Sequence, residues 1–179
     1  MFQTFKFEPA ASRRLVCLDL IQTGPEPDQR SIDCCRRLLM FARSASWTII
    51  HLHPKAAGRR ASKPFTGLGP LPSEPVLYRT GASAFSNRNF DRIIKEQADG
   101  EMVMLSLSLS SACLGTCLYA YDLGVPVILV EDALLANSDD RAGLEAIETV
   151  ARSIVAPFVR IARAEELIEP RRGLRLVQG

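Results

Sequence analysis

Short apolar runs recur along the chain, and polar, turn-rich or amphipathic stretches separate them. Because each run is short, bounded by turn residues and rich in aliphatic or β-branched side chains, it predicts a buried strand. The predicted strands cover residues 14–20, 47–53, 75–79, 102–109, 125–132 and 157–161.

Between these runs, apolar positions recur at three- and four-residue intervals, which is the pattern of an amphipathic helix. The stretch 28–43 shows it with Ile32, Cys35, Leu39 and Ala42. Further helices are predicted at 87–97, from a cap at Ser110 or Ser111 to Gly124, and near 139–153. Serine hydroxyls cap helix N-termini, and glycine commonly ends helices.

Strands that alternate with helices predict an α/β fold with a mostly parallel sheet covered on both faces. The chain shows no internal repeat and no linker, so we expect one domain over residues 1–179, with a long loop at 54–74 and a polar tail at 170–179. Ligands of such sheets bind beyond the carboxyl ends of the strands. The polar candidates there are Asp19, His51, His53, Arg79, the serines within 106–111, and Asp132, which we expect to act as a cap.

Composition narrows the classes of function. The chain has 179 residues, 47% hydrophobic and 23% charged, with a net charge of +2, which is typical of a soluble globular protein. Neither nucleic acid nor a membrane is indicated as a partner, because basic and aromatic residues do not interleave and no apolar run is long enough to span a bilayer. The N-terminus lacks the apolar core of a signal peptide, so we expect a cytoplasmic protein. The basic loop residues Lys55, Arg59, Arg60 and Lys63 are expected to be solvated surface, or to steer an anionic substrate.

The expected cytoplasmic location also bears on the five cysteines. In a cytoplasmic chain they are expected to be thiols, and most of them small core residues. They are Cys17, Cys34, Cys35, Cys113 and Cys117, and no two have the Cys-x-x-Cys spacing.

Three stretches together carry a family resemblance. Residues 15–20 read LVCLDL, an apolar strand with Asp19 next to its end; residues 74–85 read EPVLYRTGASAF; and residues 112–133 read ACLGTCLYAYDLGVPVILVEDA. In this order and spacing they resemble the isochorismatase-like cysteine hydrolases, a superfamily that includes nicotinamidases, carbamoylases and isochorismatases. The resemblance implies a three-layer α/β sandwich, Rossmann-like, with about six strands, a homo-oligomer and no cofactor.

The resemblance also implies a triad of Asp, Lys and Cys, in which a thiolate at a helix N-terminus attacks a carbonyl carbon. Asp19 stands at the aspartate position. Arg79 stands at the lysine position, and Ala112, which has no nucleophile, stands at the cysteine position. Arg79 keeps the positive charge but does not give up a proton as lysine can. We expect Asp19 and Arg79 to form a salt bridge, because a desolvated carboxylate needs a partner.

Cys113 follows the family's cysteine position by one residue. It is either a small core residue or, if the helix start is shifted, a displaced nucleophile. The predicted catalytic residues are therefore Asp19, Arg79 and Cys113. The predicted substrate-binding residues are Phe85 at the cleft edge, Ser111, Ala112 and His53.

His51 and His53 occupy a stretch that contributes to the metal site of nicotinamidases. Residues two apart on a strand face the same way, but a third protein ligand is absent, so no metal is predicted. The alternative is that both histidines are polar side chains lining the pocket.

Three functions stay open from the sequence. The first is a hydrolase of a small amide, imide or enol ether. The second is a pseudoenzyme that binds a small ligand or a protein partner without turnover. The third is an interaction protein that functions through its oligomer surface. Fold alone does not establish which of them is correct.

Overall fold

The computed structural model describes residues 13–22, 28–55, 63–96, 100–134, 149 and 152–168. Within them lie six strands: β1 Arg13–Leu18, β2 Thr48–Pro54, β3 Val76–Arg79, β4 Glu101–Ser106, β5 Val127–Val130 and β6 Arg160–Ala162. They form one sheet in the order β3-β2-β1-β4-β5-β6, and each neighbouring pair is parallel. The predicted parallel sheet of about six strands is confirmed.

Helices cover both faces of this sheet. They are α1 Gln29–Ser44, α2 Arg88–Glu96, α3 Ser111–Asp122 and α4 Ala164–Ile168; 3-10 turns lie at Ala84–Ser86 and Glu131–Ala133, and residues 152–155 are helical. The side chains of α1 and α4 share one buried cluster with one face of the sheet. The side chains of α2 and α3 share the other cluster with the opposite face. This arrangement is the predicted three-layer sandwich.

The strand order places a crevice. The chain runs outward from β1 to β3, then returns to pair β4 with the other side of β1. Two neighbouring strands whose connections leave in opposite directions open a gap at their carboxyl ends, and ligands of open α/β sheets bind there. Asp19 follows β1 at this point, and the connection from β4 into α3 forms the other wall.

Most predicted elements are present, with shifted ends. β4 was predicted to reach residue 109, but the chain turns after Ser106, whose hydroxyl donates to the Ser108 carbonyl at 3.0 Å. The predicted strand 125–132 ends at Val130, and a 3-10 turn follows it. The sequence analysis missed α4, which Asp132 caps by accepting from the Ala164 N–H at 3.0 Å.

Some predictions fall on residues outside those described. They are most of the helix near 139–153, part of the loop 54–74 and the tail 170–179. From residue 63 on, the loop is described and consists mainly of turns. An isolated antiparallel β-bridge between Ile21 and Pro64 pairs it with the chain after β1. No helix in the described part of the chain is both long and apolar enough to cross a bilayer.

Candidate functional site

Asp19 leaves the end of β1 in an unusual backbone conformation. Its φ is +55°, in the left-handed region that few residues other than glycine, asparagine and aspartate adopt readily. Its N–H still donates to the Leu52 carbonyl at 2.9 Å, which holds the residue against β2. Outliers of this kind concentrate at functional sites, where the surrounding structure enforces them.

Arg79 ends β3 and reaches Asp19. Its Nη2 donates to Oδ2 of Asp19 at 2.6 Å, and its Nη1 donates to the Gly81 carbonyl at 2.9 Å. Because β2 lies between β1 and β3 in the sheet, the Arg79 side chain passes over the end of β2 to make this contact. The two side chains are 16% and 22% exposed. The predicted Asp19–Arg79 salt bridge is confirmed.

Hydrogen bonding around this ion pair is incomplete. Oδ1 of Asp19, Nε of Arg79 and Nδ1 of His53 are buried atoms with no hydrogen-bond partner in the part of the chain that the structure describes. His53 lies on β2, the strand that Arg79 crosses, and its pKa is lowered, chiefly by burial. Unpaired buried polar atoms are rare in folded proteins and need an explanation. Three such atoms lie together where β1, β2 and β3 end, and they mark this carboxyl-terminal edge of the sheet as the candidate site.

The first turn of α3 forms the wall next to the pair. Ser110 is the N-cap, and its hydroxyl accepts from the Cys113 N–H at 3.4 Å. Ser111 is exposed, whereas Ala112 is buried. The position that carries the nucleophile in the family resemblance therefore holds a buried methyl group.

Cys113 does not have the surroundings of a nucleophile. Its side chain has no exposed surface and belongs to the core beneath α3. A hydrogen bond with Cys117, burial and the charge of Asp19 raise its pKa well above the usual value, although Ser106 lowers it. Because the thiolate is the reactive species, this environment suppresses thiol chemistry. The geometry therefore favours the core interpretation of Cys113 over the catalytic one.

Phe85 also lies deeper than a cleft-edge residue. It is 9% exposed and packs on Phe90 and Tyr119, with ring centroids 5.0 and 5.1 Å away. Its contribution is to anchor the 3-10 turn after Arg79 against α2 and α3. A role in substrate binding stays a prediction for Phe85, as it does for Ser111, Ala112 and His53.

The two histidines have different surroundings. Nε2 of His51 is hydrogen-bonded to Oε2 of Glu74 at 2.9 Å, whereas Nδ1 of His53 has no partner in the structure. Their rings lie 6.4 Å apart, and burial lowers the pKa of His51 as it does that of His53. Within the described ranges, no group of three His, Cys, Asp or Glu side chains could hold a metal ion.

Glu74 is the polar residue that the sequence analysis quoted without giving it a role. Its carboxylate accepts from Nε and Nη2 of Arg43 at 2.8 and 2.9 Å and from the Leu71 N–H at 2.9 Å, in addition to its bond with His51. Burial raises its pKa, but these bonds outweigh burial and bring the pKa to about 2. Its place in the family-like stretch 74–85 was the available signal.

Beside Glu74 lies a surface cavity of about 290 Å³. Arg43, Trp47, Leu71 and Pro75 contribute to its lining. It opens at the amino-terminal ends of β2 and β3, whereas Asp19 and Arg79 lie at carboxyl ends. The two charged clusters are thus at opposite edges of the sheet.

Comparison with known proteins decides the family. The family model described as the Isochorismatase domain matches residues 18–165, most of the chain and the whole of the candidate site. The chain belongs to the isochorismatase family. No curated protein sequence gives a significant match.

Solved structures of isochorismatase-family proteins share its fold. A protein of this family from Chromobacterium violaceum is 20% identical, with 94% of this chain and 97% of that chain covered and a TM-score of 0.74. An isochorismatase from Pseudomonas putida is 22% identical, with 90% and 93% covered and a TM-score of 0.72. N-carbamoylsarcosine amidase from Thermoplasma acidophilum is 17% identical, with 87% and 98% covered and a TM-score of 0.64. At these identities the likeness shows the fold and leaves the substrate open.

Proposed function

We propose that this isochorismatase-family protein is a hydrolase that works without a thiol nucleophile, with Asp19 as the proton-transferring group and Arg79 in the lysine's place. The observation that carries the proposal is the Asp19–Arg79 ion pair, joined at 2.6 Å at the carboxyl edge of the sheet while Oδ1 of Asp19 keeps no partner. A carboxylate with one oxygen fixed and the other unpaired is oriented for proton transfer.

The surroundings of the pair support a route without sulfur. Ala112 offers no nucleophile, and Cys113 is a fully buried thiol with a raised pKa. Ser110 is engaged as a helix cap, and no described contact joins it to a general base. Of the substrate classes predicted from the sequence, an enol ether needs no nucleophilic side chain, because its cleavage begins with protonation of carbon.

The step follows from that chemistry. Asp19 first takes up a proton from solvent on Oδ1, the oxygen that Arg79 does not bind. It then donates this proton to the vinyl carbon of the enol ether, and the electron pair of the double bond forms the new C–H bond. Water adds to the resulting oxocarbenium carbon, and the hemiketal then breaks to a ketone and an alcohol while a proton from water restores the acid. Arg79 holds a substrate carboxylate and stabilises the carboxylate that Asp19 becomes when it gives up its proton. Because arginine does not deprotonate in proteins, we expect a lower rate than in a lysine-containing relative.

A second candidate function is a pseudoenzyme that binds a small ligand without turnover. Two observations favour it: the nucleophile position is a buried alanine, and the charges of Asp19 and Arg79 already neutralise each other. A small-molecule partner, a homo-oligomer and a cytoplasmic location belong to both proposals and follow from the family resemblance and the composition.

Pyruvate release from isochorismate, measured with the wild type and with Asp19→Asn, separates the two functions. General acid catalysis contributes about 10²- to 10⁴-fold, so the nearly isosteric asparagine should remove most of the rate. Amide hydrolysis of nicotinamide and N-carbamoyl compounds is measured in parallel. We also expect Arg79→Lys to raise any activity found.

Equal rates for the wild type and Asp19→Asn would eliminate the acid mechanism. No release by either protein, together with no amide hydrolysis, would leave the pseudoenzyme as the better account. As the control for folding, Asp19→Asn and Arg79→Lys should have the same far-UV circular dichroism spectrum as the wild type.

A further inference from the structure

The loop that carries Arg79 into the site rests on the first turns of α3, and one buried hydroxyl joins them. Thr116 has no exposed surface. Its Oγ1 donates to the Ala112 carbonyl at 2.6 Å and accepts from the Ala84 N–H at 2.9 Å. A backbone N–H can only donate, so the hydroxyl proton is free to point at Ala112.

The Ala84 end of this contact leads to Arg79. Ala84 begins the 3-10 turn Ala84–Ser86, and Oγ of Ser86 accepts from the N–H groups of Thr80 and Gly81 at 3.1 and 2.9 Å. The carbonyl of Gly81 in turn accepts from Nη1 of Arg79 at 2.9 Å. Three hydrogen bonds, linked by the backbone from Ala84 to Ser86 and by Gly81 itself, therefore connect the Thr116 hydroxyl to the guanidinium that holds Asp19.

The Ala112 end of the contact leads to the other wall of the site. Threonine hydroxyls in helices commonly donate to the carbonyl four residues earlier. Here this bond holds the turn that contains Ala112, the residue at the family's nucleophile position. The loop also approaches α3 closely, because a Cβ added at Gly115 would lie 3.6 Å from the backbone of Ala82. The Thr116 hydroxyl thus joins the two walls by hydrogen bonds, beside the packing of Phe85 on Tyr119.

We infer that Thr116 is a positioning residue that fixes Arg79 relative to the start of α3; this inference rests on the proposed function only for its consequence in catalysis. Thr116 touches no reacting group itself. Its hydroxyl acts through Ala84, Ser86 and Gly81, and its loss should let the guanidinium leave its fixed position beside Asp19.

Nuclear magnetic resonance of the Arg79 Nε–H tests this directly. Nε of Arg79 has no accessible surface, so its proton should exchange slowly with water and give a resolved ¹H–¹⁵N signal, which Arg79→Lys assigns by removing it. We expect Thr116→Val, which keeps the shape and removes the hydroxyl, to broaden or shift this signal and to lose at least half of its intensity. Thr116→Ser, which restores the hydroxyl, should return it.

Two further variants keep the test decisive. Cys117→Ala changes the next buried residue of α3 without removing any of these hydrogen bonds, and should leave the signal in place. Ser86→Ala interrupts the same set of hydrogen bonds at an exposed position, so it should fold and still perturb the signal. An unchanged Arg79 signal in folded Thr116→Val or in Ser86→Ala would overturn the inference.

The outcome is independent of whether a substrate is found. If isochorismate or an amide is hydrolysed, Thr116→Val should lower kcat at least tenfold, and Thr116→Ser should restore it. If no substrate is turned over, the proposed function fails while the Arg79 signal still decides the positioning role.

Discussion

Two charged clusters lie at opposite ends of the strands around β2, and their hydrogen bonding differs. The Glu74 carboxylate accepts from Arg43 twice, from the Leu71 N–H once and is bonded to His51. The Asp19 carboxylate has one oxygen bonded to Arg79 and the other without a partner. Glu74 also sits before a regular strand, whereas Asp19 adopts a left-handed backbone conformation.

The difference separates a cluster that stabilises the fold from one available for chemistry. The Glu74 carboxylate joins α1, β2 and the loop before β3, and neither of its oxygens is without a partner. An ion pair with unpaired atoms on both partners contributes less to stability and keeps binding capacity. The two clusters have similar charges, so partner count and not charge distinguishes them.

Glu74→Gln should have the largest effect. The Glu74 side chain is 7% exposed and that of His51 only 1%, so the change removes the counter-charge of a buried network. We expect the free energy of unfolding in urea to fall by about 3 kcal/mol, the usual cost of removing one partner from a buried ion pair.

Two further acid-to-amide substitutions are compared with Glu74→Gln. Glu96→Gln breaks an exposed pair at 3.9 Å and should cost no more than about 0.5 kcal/mol. Asp19→Asn, the equivalent change at the other cluster, should cost less than about 1 kcal/mol because the pair is partly exposed and already incompletely bonded. A cost at Asp19 as large as at Glu74 would remove the distinction between the clusters.

Lowering the pH should reduce the free energy of unfolding mainly through His51, His53 and Glu74, whose pKa values are lowered in the folded protein. Burial lowers the pKa of His51 and His53 below the usual 6.5, and their stability contribution is therefore complete above that pH and lost as the pH falls. Glu74, with a pKa of about 2 against the usual 4.5, adds a second loss below pH 4.5. Urea midpoints measured from pH 8 to pH 3 should fall in these two windows.

Two variants show which residue causes the loss of stability in each pH range. His53→Gln should flatten part of the slope between pH 7 and pH 5, and Glu74→Gln should flatten the slope below pH 4.5. A midpoint that rises as the pH falls from 7 to 5 would contradict the lowered histidine pKa values.

Alkylation should have the smallest effect, since we expect none in the folded protein. All five cysteines are buried, and Cys113 has its pKa raised by Cys117 and by burial. Iodoacetamide at neutral pH, followed by peptide mass mapping, should modify Cys113 no faster than Cys35. In denaturant all five should react. Selective labelling of Cys113 in the folded protein would restore it as a nucleophile and contradict the thiol-independent route.

Local patterns were sufficient for the fold and for part of the site. The apolar runs located each strand to within a few residues, because side-chain polarity alone distinguishes buried strands from amphipathic helices. Register within EPVLYRTGASAF located Arg79, and the end of LVCLDL located Asp19, so their salt bridge was predicted. The end of β4 was wrong because Ser106 bonds to the backbone two residues on, which periodicity does not encode.

The sequence by itself determined the alternation of strands and helices apart from the short α4, the family, and the identities of Asp19, Arg79 and Ala112 at its key positions. Only the tertiary structure decided which side chains are enclosed. Cys113 is buried by packing beneath α3, and Glu74 is partnered by residues from α1 and β2 that lie far from it in the chain. Even Arg14, a charged residue inside β1, is fully buried because carbonyls of Ile94 and Gly100 accept its protons. Burial and pKa depend on neighbours brought together by folding, and no local pattern contains them.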